Sequence, residues 1–81
     1  MKYRSKNEIY CDILEACNTK EGATITMILY KSYTAYIQLK SHIAELTRLW
    51  LIEKNGDRYF LTHRGRMVLN RMTEMNEMIK R

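Results

Sequence analysis

The sequence predicts a small domain that is mostly α with a small β-hairpin. An amphipathic segment from Thr34 to Trp50 repeats apolar residues at helical spacing and runs directly into strand-like residues folded about Asn55-Gly56. The stripe predicted to be buried comprises Tyr36, Leu39, Ile43, Leu46 and Trp50. The opposite side of this helix carries Ile37, Gln38, Ser41, Ala44, Glu45 and Arg48. One long helix with a buried and an exposed side is therefore expected to lead into a hairpin.

The hairpin is predicted from its turn residues. Leu51 and Ile52 begin a strand, and Asn55-Gly56 supplies two residues that tolerate positive φ, as a type I′ turn requires. The run from Arg58 to Leu61 then returns antiparallel to the first strand. A helix feeding a basic-tipped hairpin is typical of a winged helix.

A first helix is predicted near the N-terminus. Ser5 and Glu8 have the spacing of a capping box, so the helix begins there, and the stretch from Asn18 to Gly22 ends it. Its expected core face is Ile9, Ile13, Leu14 and Cys17.

A second, shorter helix follows over residues 25–31. Thr24 is its expected N-cap, and Ala23-Thr24 can add a short third strand to the hairpin. Ser32-Tyr33 is the predicted turn and Thr34 the predicted N-cap of the next helix. The residues expected to pack this helix against its neighbours are Met27, Ile28 and Tyr30. Two helices joined by a short turn, the second amphipathic, form a helix-turn-helix, so the full prediction is a winged helix-turn-helix.

A last helix is predicted from His63 towards Arg81, with Thr62 as its N-cap. Its apolar residues form a heptad-like seam, of which the first half can cover the domain's own core. The outer half needs a partner, so it is interpreted as a C-terminal dimerisation helix of a homodimer. Methionine specifies register poorly, and parallel or antiparallel pairing stays open. The seam comprises Val68, Leu69, Met72, Met75, Met78 and Ile79.

Length and charge limit the organisation and the partners. The chain has 81 residues and suits one small domain. We expect a flexible basic arm over residues 1–4, the winged-helix domain over 5–69 and the C-terminal helix over 63–81. The formal net charge is +5, and basic residues outnumber acidic ones six to two between residues 46 and 73. Basic character therefore follows the hairpin and its flanks, which favours a polyanionic partner.

Several classes of protein are disfavoured. Cys11 and Cys17 lie six residues apart and form no CxxC pair; a buried Cys17 and a partly exposed Cys11 are expected, with no metal site. His42 and His63 lack catalytic partners at motif spacing, and the sequence has no glycine-rich phosphate loop, so neither an enzyme nor a cofactor is expected. The sequence has neither a signal peptide nor an apolar run of about 20 residues. A cytoplasmic, nucleoid-associated protein without membrane contact is expected.

The chain resembles a known group of proteins. The run ILEAC, the segment YKSYTAYIQLKSHIAEL, the hairpin LIEKNGDRYFLT and the helix start LTHRG are similar to the archaeal winged-helix proteins related to the 10-kDa "a" chromatin proteins. The similarity covers residues 5–69. It implies a winged helix dimerised by an antiparallel coiled coil of the C-terminal helices and binding double-stranded DNA.

Two departures from that group have consequences here. Its last helix is usually longer, so a helix ending at Arg81 implies a shorter seam. Its members tend to carry Lys where this chain has Ile37 and Ser41, so the recognition face here is less charged.

Candidate DNA contacts follow from the docking of a winged helix, in which the third helix enters the major groove. Gln38 is the best candidate for reading adenine, Ser41 is a weaker one, and Ile37 and Ala35 can contact a thymine methyl. Tyr33 and Tyr36 are interpreted as core or turn residues rather than base-stackers, and Trp50 as a core residue closing the third helix onto the sheet. Phosphate or backbone contacts are expected from Thr34, Lys40, Arg48, Lys54, Asn55, Arg58, Lys31, Arg4 and Lys6.

Three functions stay open. The leading one is a homodimeric transcription regulator that binds double-stranded DNA. A sequence-tolerant architectural protein of the chromosome is a close alternative, and a winged helix used for protein contact is a third. The target sequence, an effector, the sign of regulation and a cellular or viral origin are not specified by the sequence.

Overall fold

The computed structural model describes the backbone of residues 5–80 and the side chains of residues 5–75, 77 and 78. Within that range the order of elements confirms the predicted winged helix-turn-helix. The predicted arm over residues 1–4, with Arg4, lies outside the described residues, as does the side chain of Ile79. The elements are α1 (Lys6–Cys17), α2 (Ile25–Ser32), α3 (Tyr36–Arg48), β1 (Ile52–Asn55), β2 (Arg58–Leu61) and α4 (His63–Lys80).

Three helices begin at the caps that the sequence predicts. The backbone N–H of Glu8 donates to Ser5 Oγ at 3.2 Å, and the Glu8 carboxylate accepts from the Ser5 N–H, which completes the capping box. Thr24 Oγ1 accepts from the backbone N–H of Met27 at 3.3 Å. Thr62 Oγ1 accepts from the N–H of Gly65 at 2.9 Å. Local side-chain chemistry therefore fixes where α1, α2 and α4 start.

The turn between α2 and α3 corrects the predicted cap of α3. Tyr33 ends α2 in the left-handed region, with φ 54°. The chain then stays extended through Ala35, which is the N-cap of α3 and has no side-chain cap bond. Thr34 is therefore not the N-cap, because α3 begins one residue later than predicted.

The hydrophobic core lies between α1, α2, α3 and the start of the hairpin, and α4 closes it through Leu69. Cys11 is buried, although the sequence predicted partial exposure. The reason is that α1 packs against both α2 and α4, so its buried arc is wider than one stripe. The fully buried large side chains include Ile13, Leu14, Cys17, Ile28, Leu39, Leu46 and Ile52.

Trp50 is 69% exposed, so its assignment to the core is wrong. Helix α3 ends at Arg48, and Trp50 has φ 63°, so the helical period no longer applies at this position. Leu51 and Ile52 turn inward instead. Tyr36, at the first position of α3, is also exposed rather than buried.

Helix α2 buries less than predicted. Its eight residues turn Ile28 and Ser32 inward, while Met27 and Tyr30 are exposed. Ile28 and Ser32 are four residues apart and therefore lie on the same side of this short helix. Met27 and Tyr30 lie on other sides and point away from the core.

The hairpin pairs Ile52 with Leu61 and Asn55 with Arg58. Gly56-Asp57 is therefore the two-residue loop, and the prediction of a type I′ turn over Asn55-Gly56 is wrong by one residue. Gly56 has φ 68°, whereas the φ angle of Asn55 is not positive. A glycine at the first loop position is the pattern of a type II′ turn.

The hairpin is tied to the rest of the domain at two points. Ala23 and Tyr59 exchange backbone hydrogen bonds of 2.9 and 2.8 Å, which confirms the short third strand as a single bridge. At the other end, the Thr62 hydroxyl donates to the Trp50 carbonyl oxygen at 2.6 Å. A Cβ atom on Gly65 would overlap the Leu51 carbonyl group, so only glycine allows α4 to start this close to the strand. The position of the hairpin relative to α3 is thereby fixed.

In the described part of the chain, no helix is long and apolar enough to cross a bilayer.

Candidate nucleic-acid interface

The outward face of α3 is opposite its buried stripe. Leu39, Ile43 and Leu46 point into the core. The other side of α3 carries a row of residues at steps of four, three and four, which we call the outward row. Its first member, Ile37, is 83% exposed. The outward row is Ile37, Ser41, Ala44 and Arg48, all exposed. This surface is therefore apolar and small at its N-terminal end and basic at its C-terminal end.

Gln38 lies beside the outward row and is exposed. The hydroxyl of Thr34, half-buried in the preceding turn, donates to Gln38 Oε1 at 3.2 Å. This bond spans i to i+4 and holds the amide in one orientation while its two N–H donors stay available. Gln38 is thus placed as a preoriented hydrogen-bonding group near the start of α3.

The two cations on the exposed side of α3 both have a neighbour within the helix. Arg48 makes a two-point contact with Glu45, with Nη2 2.6 Å from Oε2 and Nε 3.3 Å from Oε1. The hydrogen bond from Arg48 lowers the pKa of the Glu45 carboxyl group. Lys40 Nζ lies 5.7 Å from the centre of the Tyr36 ring. Of the two cations, Arg48 is therefore paired with a carboxylate, and Lys40 lies against an aromatic ring.

The hairpin carries two cations, Lys54 and Arg58, and two carboxylates, Glu53 and Asp57. Lys54 and Asn55 are exposed, and Arg58 is half-buried. Lys54 Nζ lies 5.9 Å from the centre of the Tyr59 ring, which faces it in the strand register. Lys54 and Arg58 flank the loop and outnumber its one carboxylate, Asp57, so the tip of the wing has a small excess of positive charge.

His42 joins α3 to α1. Its ring meets the Tyr10 ring edge to face, with centroids 5.1 Å apart. Lys6 Nζ lies 5.4 Å from the Tyr10 ring centre. Partial burial lowers the pKa of His42, and the Lys6 ammonium group lowers it further, so both effects favour the neutral imidazole.

The predicted seam of α4 divides into two parts. Leu69 is buried in the core, and Val68 and Met72 pack against it, so these three residues serve the domain itself. The assignment of Leu69 to a dimer contact is corrected accordingly, since its side chain has almost no surface to offer. Met75 is 61% exposed and Met78 is 76% exposed. The outer half of α4 therefore leaves an apolar edge uncovered.

An open groove between α1, α2 and α4 is acidic. Glu15, Glu74 and Glu77 line it, together with Lys31. Lys31 is exposed, but it stands among carboxylates rather than with the outward row, so the structure does not group it with the α3 residues. A polyanion is repelled from this side of the molecule.

Neither cysteine is available as a thiolate. Both are free and buried. Burial raises the pKa of Cys17 to about 12 and also raises that of Cys11.

Comparison with known proteins decides the family. The family model described as winged helix-turn-helix matches residues 3–80. The chain belongs to the winged helix-turn-helix family. Among solved structures, it is similar to Sso10a-2, a DNA-binding protein from Sulfolobus solfataricus, with a TM-score of 0.79 and 24% identity over 95% of this chain and 83% of that one. The resemblance to archaeal winged-helix proteins is thus confirmed at the level of the fold. No curated protein matches the chain.

Within this winged helix-turn-helix, the predicted exposed side of α3 is confirmed, but two of its contacts were missed. Sequence reasoning did not pair Glu45 with Arg48 or Tyr36 with Lys40. Their i, i+3 and i, i+4 spacings were visible signals for both pairs. Exposed positions among the candidate contacts are Ile37, Gln38, Lys40, Ser41, Arg48, Lys54, Asn55, Lys31 and Lys6.

Proposed function

We propose that this chain binds double-stranded DNA as a homodimeric transcription regulator. The observation that carries the proposal is the outward row of α3, which is exposed along the whole helix beside a hairpin with a basic tip. A helix of this width fits the major groove, and a wing beside it reaches the neighbouring backbone. The winged helix-turn-helix family and the fold shared with a DNA-binding protein support the DNA-binding part of this proposal.

The distribution of charge favours reading of sequence over sequence-tolerant packing of the chromosome. Non-specific affinity depends on cations that neutralise phosphates. On α3, Glu45 holds Arg48, and Lys40 lies over a tyrosine ring. Most phosphate contacts are then left to the hairpin and to the first turn of α4, which contains Arg64 and Arg66. Contacts with the DNA phosphate backbone should then contribute less to the binding affinity of this protein, and contacts with the bases should contribute more.

The proposed dimer uses the outer half of α4. Met75 and Met78 leave apolar side chains in water, at a cost of about 1 kcal/mol or more each relative to burial. A second copy of the same helix covers both edges at once. Dimeric helix-turn-helix proteins contact half-sites about one helical turn apart, so the target is expected to be an inverted repeat.

The test is binding to a random duplex and to a pool enriched for preferred sites, over a range of salt concentrations. A regulator is expected to select an inverted repeat and to prefer it by about a thousandfold or more over random duplex. Steep salt dependence without selection would support the architectural alternative. A monomer that binds no duplex at low salt would favour protein contact and would contradict the proposal.

A further inference from the structure

We infer that α3 reads A·T base pairs, with Ile37 contacting the C5 methyl group of thymine and Gln38 pairing with adenine. This inference rests on the proposed DNA binding and specifies the base pair that the same surface recognises. Three features of α3 carry it.

The first feature is the apolar start of the outward row. Ile37 is 83% exposed although it is a large aliphatic residue near the N-terminal end of α3. Recognition helices bring that end closest to the base edges. Ser41 and Ala44 follow in the row and are small, so they allow the helix to approach the floor of the groove. The apolar group that the major groove offers is the thymine methyl, which makes it the natural contact for Ile37.

The second feature is the fixed amide of Gln38. Thr34 Oγ1 donates to Gln38 Oε1 at 3.2 Å and occupies one of its two lone pairs. The remaining lone pair and the amide N–H groups match the N6 donor and the N7 acceptor of adenine. Because the side chain is already oriented, less rotational freedom is lost on binding.

The third feature is the placement of cations on α3. Guanine is most often read by Arg or Lys donating to O6 and N7. In α3 as described, the arginine is Arg48, at the C-terminal end and held by Glu45. Lys40 lies beside Tyr36 and off the outward row. Near the N-terminal end of α3, Ile37 in the row and Gln38 beside it therefore offer methyl groups and an amide, which suit thymine and adenine, while the Lys40 ammonium group lies against the Tyr36 ring.

The experiment uses the full chain and fluorescence anisotropy at low salt, with duplexes that differ by single chemical groups. An A·T-rich duplex is compared with the same duplex carrying uracil for thymine, which removes only the C5 methyl, and with one carrying 7-deazaadenine, which removes only the N7 acceptor. We expect uracil to weaken binding about fourfold for each lost methyl contact. We expect 7-deazaadenine to weaken it by roughly fivefold or more.

Variants assign each effect to its residue. Ile37→Ala is expected to bind the thymine and uracil duplexes equally, and Gln38→Ala the adenine and deazaadenine duplexes equally. Met67→Ala truncates an exposed apolar side chain on α4 and should keep both differences. Both target residues are exposed, so we expect both variants to keep the fold of the wild type.

The outcomes separate this inference from the function on which it rests. A wild-type protein that binds all the duplexes equally well would overturn the reading of A·T pairs and leave DNA binding intact. An Ile37→Ala variant that still distinguishes thymine from uracil would overturn the role of Ile37. Failure to bind any duplex at low salt would overturn the proposed function and this inference together.

Discussion

Arg48 Nη2 lies 2.6 Å from Glu45 Oε2, one turn away on the exposed side of α3. A second contact joins Arg48 Nε to Oε1 at 3.3 Å, so the guanidinium and the carboxylate meet in two places. The hydrogen bond from Arg48 lowers the pKa of the Glu45 carboxyl group. The guanidinium group of Arg48 is therefore already paired with a carboxylate on this face of the free protein.

Replacing Glu45 by Gln should increase DNA affinity. The change removes one negative charge and leaves Arg48 able to contact a phosphate. The slope of log K against log salt should steepen by about one phosphate equivalent. Glu74→Gln makes the same change in net charge on α4 and serves as the control. An equal gain from both variants would assign the effect to net charge rather than to Arg48.

Replacing both Lys54 and Arg58 by Ala should weaken binding and flatten its salt dependence by about two phosphate equivalents, because both cations flank the hairpin loop. The measurement is a salt titration on a random duplex. The matched control removes two cations elsewhere, Lys20 and Arg71. If the hairpin variant behaves like this control, the hairpin does not contact DNA.

Replacing Met75 by Glu should convert the proposed dimer into a monomer. Met75 is exposed in the single domain, so the charge disturbs no core contact and circular dichroism should stay unchanged. Light scattering gives the mass. Met67→Glu places the same charge on the first half of α4, at another exposed position, and should stay dimeric. An unchanged mass for Met75→Glu would locate the contact elsewhere.

Replacing Trp50 by Gly should stabilise the protein or leave its stability unchanged. Trp50 has φ 63° and an exposed ring. The left-handed conformation costs a residue with a Cβ atom about 1–2 kcal/mol, and glycine instead loses about 0.5–1 kcal/mol of chain entropy. Trp50→Ala keeps the strain and should not be more stable than the wild type. Urea denaturation compares the three proteins, and a loss above about 1 kcal/mol in the glycine variant would mean that the indole ring stabilises the fold.

The fold could be predicted where each signal is local. The N-caps Ser5, Thr24 and Thr62 bond to groups within one turn of the same helix, so their positions could be predicted from residue spacing. The exposed side of α3 could also be predicted, because Leu39, Ile43 and Leu46 fix which side of the helix faces the core.

The errors arose where the backbone leaves a regular period. The apolar spacing of the sequence extends the helix to Trp50, but α3 ends at Arg48. Trp50 itself has a left-handed backbone conformation, and its side chain points outward. The hairpin shift has a similar cause, since both Asn-Gly and Gly-Asp suit a two-residue loop, and the pairing of Asn55 with Arg58 decides between them. The ion pair of Glu45 with Arg48 depends on the rotamers of both side chains. Their spacing in the sequence permits the contact but does not determine those rotamers.

The most direct test of the central claim is a charge placed in the middle of the outward row. Ser41→Glu introduces a carboxylate at an exposed position of α3, and Asn70→Glu introduces one at an exposed position of α4. The two variants have the same net charge, and both should keep the helical circular dichroism of the wild type. On a random duplex at low salt, Ser41→Glu is expected to lose at least about tenfold in affinity, because the charge meets the phosphates and base edges of the groove, while Asn70→Glu loses much less. Equal losses in the two variants would contradict the docking of α3 in the major groove.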